Sequence, residues 1–487
     1  MNITFLLNGE SVELRGIDPL MTTLDWLRDH RRLTATKEGC NEGDCGACTV
    51  LLSDSHGTRT ANACILLLPQ LHGKSLTTVE AISGPQGQLH PVQQALIDHH
   101  ASQCGFCTPG FVAQMAANHL AGVTEHETAL AGNLCRCTGY APILRAARAA
   151  ETRPVPDWMP DPDSMPGPDS MPDPDSKPDP DPFILPEKLR GGPPQAAGGS
   201  APDTDRLPAT ADDLARLYAA TPEATLIAGA TDVALWITKA LRQPDPVIFL
   251  HRCADLQQIR QDANELHIGA AVSMDRVAQL MTRHHPSYGA MLARYGSPQV
   301  RAAATIGGNI ANGSPIGDNA PPLIALGARL TLRQGDSRRQ IAVEDFFLDY
   351  GRQDRAPGEF IEAITLPASA PALRVYKISK RFDQDISALL GAFDVTVTDG
   401  RVSAARLAFG GMAGTPRRAR HAEGALDGQP WTPATLRRAA AAMGDDFTPL
   451  SDMRASAGYR MQVAQNLLTR YFHDLAGTGG DLRALTP

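Results

Sequence analysis

Near the start of the chain, apolar Phe5-Leu6-Leu7 and Val12-Glu13-Leu14 flank Asn8-Gly9, two residues that accept the positive φ of a tight turn. This predicts a β-hairpin. From Leu20 to Leu27 the apolar residues fall at helical spacing, and a loop rich in cysteine and glycine follows, which suits a small β-grasp sheet packed on one helix. The period changes at His90. Val92, Ala95 and Leu96, then Phe111, Val112, Met115 and Ala116, recur at helical spacing, and Pro109 suits a first helical turn, so a separate small helical domain is expected.

Between Pro154 and Pro182 proline recurs at every second or fourth residue, and Pro-Asp-Ser-Met-Pro occurs at 162–166 and again at 168–172. Such a stretch buries little apolar area and stiffens toward polyproline II, so it reads as a semi-rigid linker. Beyond it a helix is expected from Leu214-Ala215-Arg216-Leu217. Strand-like runs at Ala224–Ala228, Leu266–Ala270 and Ala392–Thr396 then alternate with helices such as Ala457–Phe472. The predicted fold class is α+β and multidomain: a ferredoxin-like β-grasp domain at 1–83, an α-helical domain at 84–152, the linker at 153–204, an α+β domain at 205–370 and a C-terminal α+β subdomain at 371–487.

The 43% hydrophobic and 20% charged residues are those of an ordinary globular protein. No apolar run approaches the roughly 20 residues that span a bilayer, and the N-terminus shows no signal-peptide pattern, so a cytoplasmic protein is expected. A net charge of −8 without a basic patch disfavours nucleic acid.

Eight of the nine cysteines lie between Cys40 and Cys137. In a reducing compartment such clustering favours metal or redox chemistry over disulfides. Cys40-x4-Cys45-x2-Cys48, closed by Cys64, is plant-type ferredoxin spacing for a [2Fe–2S] cluster, and Gly39, Gly43 and Gly46 let backbone amides approach the sulfurs. Zinc or two disulfides are the alternative, although zinc motifs usually pair two Cys-x2-Cys units. Cys104-x2-Cys107 and Cys135-x-Cys137 supply four more thiolates, each pair just before a predicted helix whose N-terminus favours negative charge. Taken alone, this second set could also hold zinc. Cys253, far from both sets, reads as a small buried hydrophobe.

The segments Glu38–Cys48, Gln103–Gly110 and Gly132–Tyr140 together resemble the two-cluster module of the molybdenum hydroxylases. A chain that continues into a flavin domain resembles, within that family, the small subunits of the xanthine dehydrogenase branch; the resemblance covers nearly everything but the linker. It implies two [2Fe–2S] clusters, and it places Gln103 beside the pterin of a molybdenum cofactor on a partner subunit. Two glycine-bearing runs after strand-like stretches could hold a pyrophosphate through consecutive N–H groups: Leu226-Ile227-Ala228-Gly229-Ala230-Thr231-Asp232-Val233 and Ala304-Thr305-Ile306-Gly307-Gly308-Asn309. Neither is Gly-x-Gly-x-x-Gly, so a Rossmann site is not supported. The resemblance assigns both runs to FAD, adds Tyr295, Ser314, Asp318, Ile361 and Lys377 near that cofactor, and sets Tyr350 near flavin and nicotinamide. Asp232 stands where relatives often carry Glu. Without the resemblance, Tyr295 would be a core aromatic, Lys377 a solvated surface lysine and Tyr350 a packing residue.

The resemblance further implies an electron conduit in an α2β2 heterotetramer, running from the partner's molybdenum centre through the Cys104 set and then the Cys40 set to FAD and NAD, with hypoxanthine or xanthine oxidised to urate. An aldehyde or N-heterocycle dehydrogenase subunit is the alternative enzyme. A zinc-binding or redox-sensing module is the alternative outside enzymes.

Overall fold

In the computed structural model, which describes residues 1–159 and 206–480, Ile3–Leu7 (β1) and Glu10–Leu14 (β2) pair antiparallel across a turn with Asn8 at φ 54° and Gly9 at φ 88°. This is the predicted hairpin. Thr49–Asp54 (β3), Gly57–Asn62 (β4) and Ser75–Thr77 (β5) complete a five-stranded sheet in the order β2-β1-β5-β3-β4. The helix expected from Leu20 begins only at Thr23 and continues in wider turns through His30. The Thr22 hydroxyl, which accepts from the Asp25 N–H at 3.1 Å, fixes that start. Cys64 lies in the turn after β4.

Pro91–Asp98 (α1), Thr108–Leu120 (α2) and Ala141–Glu151 (α3) form the helical domain, with Val92, Leu96, Phe111, Met115 and Ile143 buried together. Past Met159, the predicted 153–204 linker lies outside the described residues until its end.

The chain divides into two units. The first comprises Met1–Pro208 together with Ala224–His251 and Ser297–Ala303, although the last two segments fall inside the 205–370 stretch of the sequence reading. The reason is apolar burial. Thr225–Ile227 (β6) and Val247–Phe249 (β7) pair parallel, flanking the helix Val233–Thr238 (α4), and Ile227, Ala234, Val247 and Phe249 share one buried cluster with Leu24, Leu27, Leu68 and Leu71. Pro298–Ala303 (α5) packs on β4.

The second unit comprises Ala209–Glu223, Arg252–Gly296 and Ala304–Pro487. Ile259–Gln261 (β8), Glu265–Gly269 (β9), Arg329–Gln334 (β10), Ser337–Ala342 (β11) and Phe360–Pro367 form one antiparallel sheet. A four-stranded sheet is built from Arg374–Ile378, Leu389–Thr398, Arg401–Gly410 and Arg417–Arg418. The helix Ala457–Leu475 covers it: the Tyr471 ring packs edge-on against Phe393 at 5.6 Å, and its hydroxyl accepts from the Val395 N–H at 2.9 Å.

Candidate functional site

All eight clustered cysteines belong to the first unit, and each set converges. In the first, Cys40 Sγ accepts from the N–H groups of Asp44 and Cys45 at 3.3 Å, and Cys45 Sγ accepts from the Cys40 N–H at 3.3 Å. Cys48 and Cys64 are buried beneath, 2% and 1% exposed. Four such thiols do not ionise together. Hydrogen bonds from Cys45 and Cys64 hold the Cys40 thiol far below its ordinary pKa, whereas Cys40 raises Cys45, and Cys40 with Cys48 raises Cys64. Four coexisting thiolates therefore need a cationic centre among them.

The second set is more open: Cys104 and Cys137 are exposed, and Cys135 is buried. Burial, then neighbouring Cys135, pushes Cys107 up to about 12. Burial acts to raise Cys135 too, but the Thr138 hydroxyl and nearby backbone amides outweigh it and lower the thiol. Cys107 is the N-cap residue of α2, and Cys135 and Cys137 lie just ahead of α3, as predicted.

Sulfur spacing bears on zinc. A four-thiolate zinc tetrahedron, with Zn–S near 2.3 Å, would set every S···S edge near ~3.8 Å. Among the described residues, the sole group of three or more His, Cys, Asp or Glu donors all within 4.8 Å of one another is the surface trio Asp262, Glu265 and His267. Among the described residues, neither cysteine set brings three sulfurs all within 4.8 Å of one another, wider than a single zinc ion would draw them.

The two cysteine loops meet backbone to backbone. Leu134 N–H donates to Cys45 O at 2.9 Å. A Cβ on Gly110 would stand 2.2 Å from Gly46 O, and one on Gly46 2.2 Å from Gly132 O, so only glycine fits at either point. Asn133 Nδ2 donates to Gly46 O at 2.9 Å and Thr49 Oγ1 at 3.2 Å, and Gln299 Nε2 on α5 donates to Asn133 Oδ1 at 2.9 Å. Asn133 and Gln299 are 2% and 0% exposed. The sequence reading gave neither a role, since the packing that makes them matter is nonlocal.

The first glycine run also lies in this unit. Gln70 Nε2 donates to Ala228 O at 3.0 Å, Ala230 sits at φ 60°, and Asp232 is exposed, accepting from Trp236 Nε1 at 3.2 Å. From the end of α4, Lys239 donates to Cys40 O and lies 3.6 Å from Glu42, which ties this segment to the first cysteine loop.

The second glycine run, in the second unit, is not a loop after a strand. Thr305 caps the helix Ile306–Asn312 (α6), accepting from the Gly308 N–H at 3.1 Å, so its glycines sit in a first turn, with Ala304 buried behind. Tyr295 is half-buried, and its hydroxyl accepts from Asn309 Nδ2 at 3.2 Å. Lys377 is no surface lysine. It is 6% exposed, and its Nζ lies 2.6 Å from Asp318 Oδ2 and 2.9 Å from Ser387 Oγ. Ser387 donates to the other Asp318 oxygen at 2.5 Å, and its part was not legible in sequence. Ile361 is buried, while Ser314 Oγ accepts from the Ile316 N–H at 3.3 Å. Gln103 and Tyr350 are exposed, Tyr350 at 73% on the turn between Phe347–Asp349 (β12) and Arg352–Gln353 (β13). Cys253 is fully buried, its Sγ 3.6 Å from Thr210 O.

Four family profiles match in succession: a 2Fe-2S iron-sulfur cluster binding domain over residues 5–68, a [2Fe-2S] binding domain over 78–148, the FAD binding domain in molybdopterin dehydrogenase over 206–369, and the CO dehydrogenase flavoprotein C-terminal domain over 374–475. The chain is 33% identical to xanthine dehydrogenase of Emericella nidulans over 97% of its own length and 38% of the relative's. It is 34% identical to that of Drosophila subobscura, over 85% of its length and 34% of the relative's. It thus spans little more than a third of these relatives. Among solved structures, a chain of Hydrogenophaga pseudoflava carbon monoxide dehydrogenase aligns with 56% of this chain and 97% of its own at 26% identity and TM-score 0.53. Quinoline 2-oxidoreductase of Pseudomonas putida aligns with 56% at 24% identity and TM-score 0.52, a likeness of fold. The cysteine geometry and the order of the four domains agree: this chain belongs to the molybdenum hydroxylases and is their part that bears two [2Fe–2S] clusters and FAD.

Proposed function

We propose that this chain is the electron-transfer subunit of a xanthine dehydrogenase, receiving electrons from a molybdenum–pterin centre on a partner subunit and delivering them to NAD. The clusters supply one-electron carriage and the flavin supplies conversion of single electrons to hydride. The observation that carries the reading is the chain of contacts in the first unit. The second set, with Cys104 and Cys137 exposed, is joined to the first by the Leu134–Cys45 hydrogen bond, and the first is joined through Cys40 and Lys239 to the segment bearing the first glycine run. This order supports entry at Cys104, Cys107, Cys135 and Cys137, passage through Cys40, Cys45, Cys48 and Cys64, and exit at FAD.

For FAD we assign, on the family resemblance, Leu226 to Val233, Tyr295, Ala304 to Asn309, Ser314, Asp318, Ile361 and Lys377. We assign Gln103 to the partner's pterin and Tyr350 to the nicotinamide, and the exposure of both side chains supports these contacts. The assembly proposed is an α2β2 heterotetramer in the cytoplasm; among the described residues no helix is long and apolar enough to cross a membrane.

Identity to xanthine dehydrogenases supports hypoxanthine and xanthine as the partner's substrates. The likeness to a carbon monoxide dehydrogenase chain keeps a second reading, the same relay serving another substrate such as an aldehyde or N-heterocycle. Chain and partner purified together, assayed for NADH formation with xanthine, an aldehyde and an N-heterocycle in parallel, decide between them. Turnover of xanthine alone supports the first reading; turnover of the others without xanthine establishes the second.

A further inference from the structure

Thr138, next to Cys137, has its hydroxyl 3.2 Å from Cys135 Sγ. The direction of this contact follows from its neighbours. The Tyr140 N–H donates to Thr138 Oγ1 at 3.2 Å, which occupies an acceptor site on that oxygen and leaves its proton to point elsewhere. A cysteine that ligates iron is a thiolate with no proton to give. Within this pair only Thr138 can then be the donor.

The geometry that holds Thr138 is itself constrained. Tyr140 sits at φ 67°, ψ −31°, a positive-φ conformation that a non-glycine residue adopts only when its surroundings hold it there. Two hydrogen bonds keep it there: its N–H to Thr138 Oγ1, and its phenol oxygen accepting from the Cys135 N–H at 3.1 Å. The second removes one amide that could otherwise turn toward sulfur. Thr138 thus becomes the side-chain donor to Cys135 Sγ in a set whose Cys104 and Cys137 face solvent.

We infer that Thr138 is a positioning residue that raises the reduction potential of the second-set cluster by donating its hydroxyl to Cys135 Sγ. The inference rests on the reading of Cys104, Cys107, Cys135 and Cys137 as ligands of that cluster. On reduction one electron enters, one Fe(III) becomes Fe(II), no bond forms or breaks, and the hydroxyl proton stays on Thr138. The sulfur gains negative charge, so a hydrogen bond to it is stronger in the reduced state and favours that state.

The test is a dithionite titration of the purified holoprotein, followed by electron paramagnetic resonance so that each cluster yields its own midpoint. Thr138→Val and Thr138→Ala remove the donor, and Thr138→Ser restores it. The expected result is one midpoint lowered in Val and Ala by about 59 mV, a tenfold change for a one-electron couple, with the other cluster unmoved and Ser close to wild type. Unchanged midpoints in Val and Ala with both signals intact would overturn the inference, as would an equal drop in Ser. Failure of the underlying ligand assignment looks different: wild-type protein would then show one cluster signal and half the expected iron.

Discussion

Leu134 and Cys45 are joined by a 2.9 Å backbone hydrogen bond, the residue ahead of a cysteine of the second set donating to the carbonyl of a cysteine of the first. Nothing longer than an amide separates the two cysteine loops there. Gly46 and Gly110 make the approach possible, and this sets the first prediction. Gly110 lies within α2, where replacing glycine by alanine would ordinarily stabilise a helix by about 1 kcal/mol. Here the new Cβ would lie 2.2 Å from Gly46 O, backbone that cannot swing aside, and overpacking of this kind costs about 1–3 kcal/mol or more. Gly110→Ala is expected to lower the denaturation midpoint and release iron. A rise in stability would show that the loops are not held this closely.

Asn133 bridges Gly46 O, Thr49 and Gln299 in a fully buried network. Asn133→Ala leaves Gly46 O to the Thr49 hydroxyl, which donates to it at 2.6 Å, and leaves Gln299 Nε2 to Thr49 Oγ1 at 3.2 Å, so the cost is the lost bonds of Asn133 to Gly46 O, Thr49 and Gln299, at about 0.5–1.5 kcal/mol each. Denaturant unfolding of the holoprotein should show a loss of about 2 kcal/mol or more. A change below 0.5 kcal/mol, the ordinary range of a surface substitution, would contradict the network.

Burial first, and His119 second, push His90 down to about 4. Its unfolded value is near 6.5, so between those pH values the unfolded chain binds the extra proton. Stability from this group is complete above about 6.5 and is lost as pH falls toward 4, at no more than about 1.4 kcal/mol per pH unit. His90 Nδ1 also accepts from the Val92 N–H at 3.2 Å, so His90→Asn keeps a capping acceptor while removing the titration. Melts between pH 7 and 5 should fall less in the variant. Parallel curves would dismiss His90 as the source.

Lys377 and Asp318 form a buried pair, their side chains 1% and 8% exposed. Lys377→Met leaves the carboxylate uncompensated, which costs about 3–5 kcal/mol, whereas adding Asp318→Asn removes that charge and should recover much of the loss. Thermal melts read this, with flavin absorbance recording any release of FAD. Equal losses in the single and double variants would mean the pair is not coupled.

Local chemistry explains what could be read from sequence. Cysteine spacing, the Asn8-Gly9 turn and Pro109 act within a few residues, and each led to its element. Thr22 moved the first helix by three residues because a hydroxyl cap outweighs the apolar spacing of Leu20 and Met21. The second glycine run was misplaced for a related reason: Thr305 reads as strand by propensity but caps a helix. What stayed hidden was nonlocal. Lys377 resembles any surface lysine until Asp318, 59 positions away, is folded against it. Ala224–His251 joins the first unit through apolar side chains such as Phe249 that no pattern along the chain distinguishes from ordinary core.

Electrons are proposed to pass in one order: second set, first set, flavin. It is tested most directly by reducing the holoprotein anaerobically with NADH and following the second cluster by freeze-quench electron paramagnetic resonance, in wild type and in Cys40→Ser. A dithionite-reduced control confirms that the variant keeps its second cluster. The order predicts that NADH still bleaches the flavin of Cys40→Ser while reduction of its second cluster lags far behind wild type. Reduction of that cluster at the wild-type rate would contradict it.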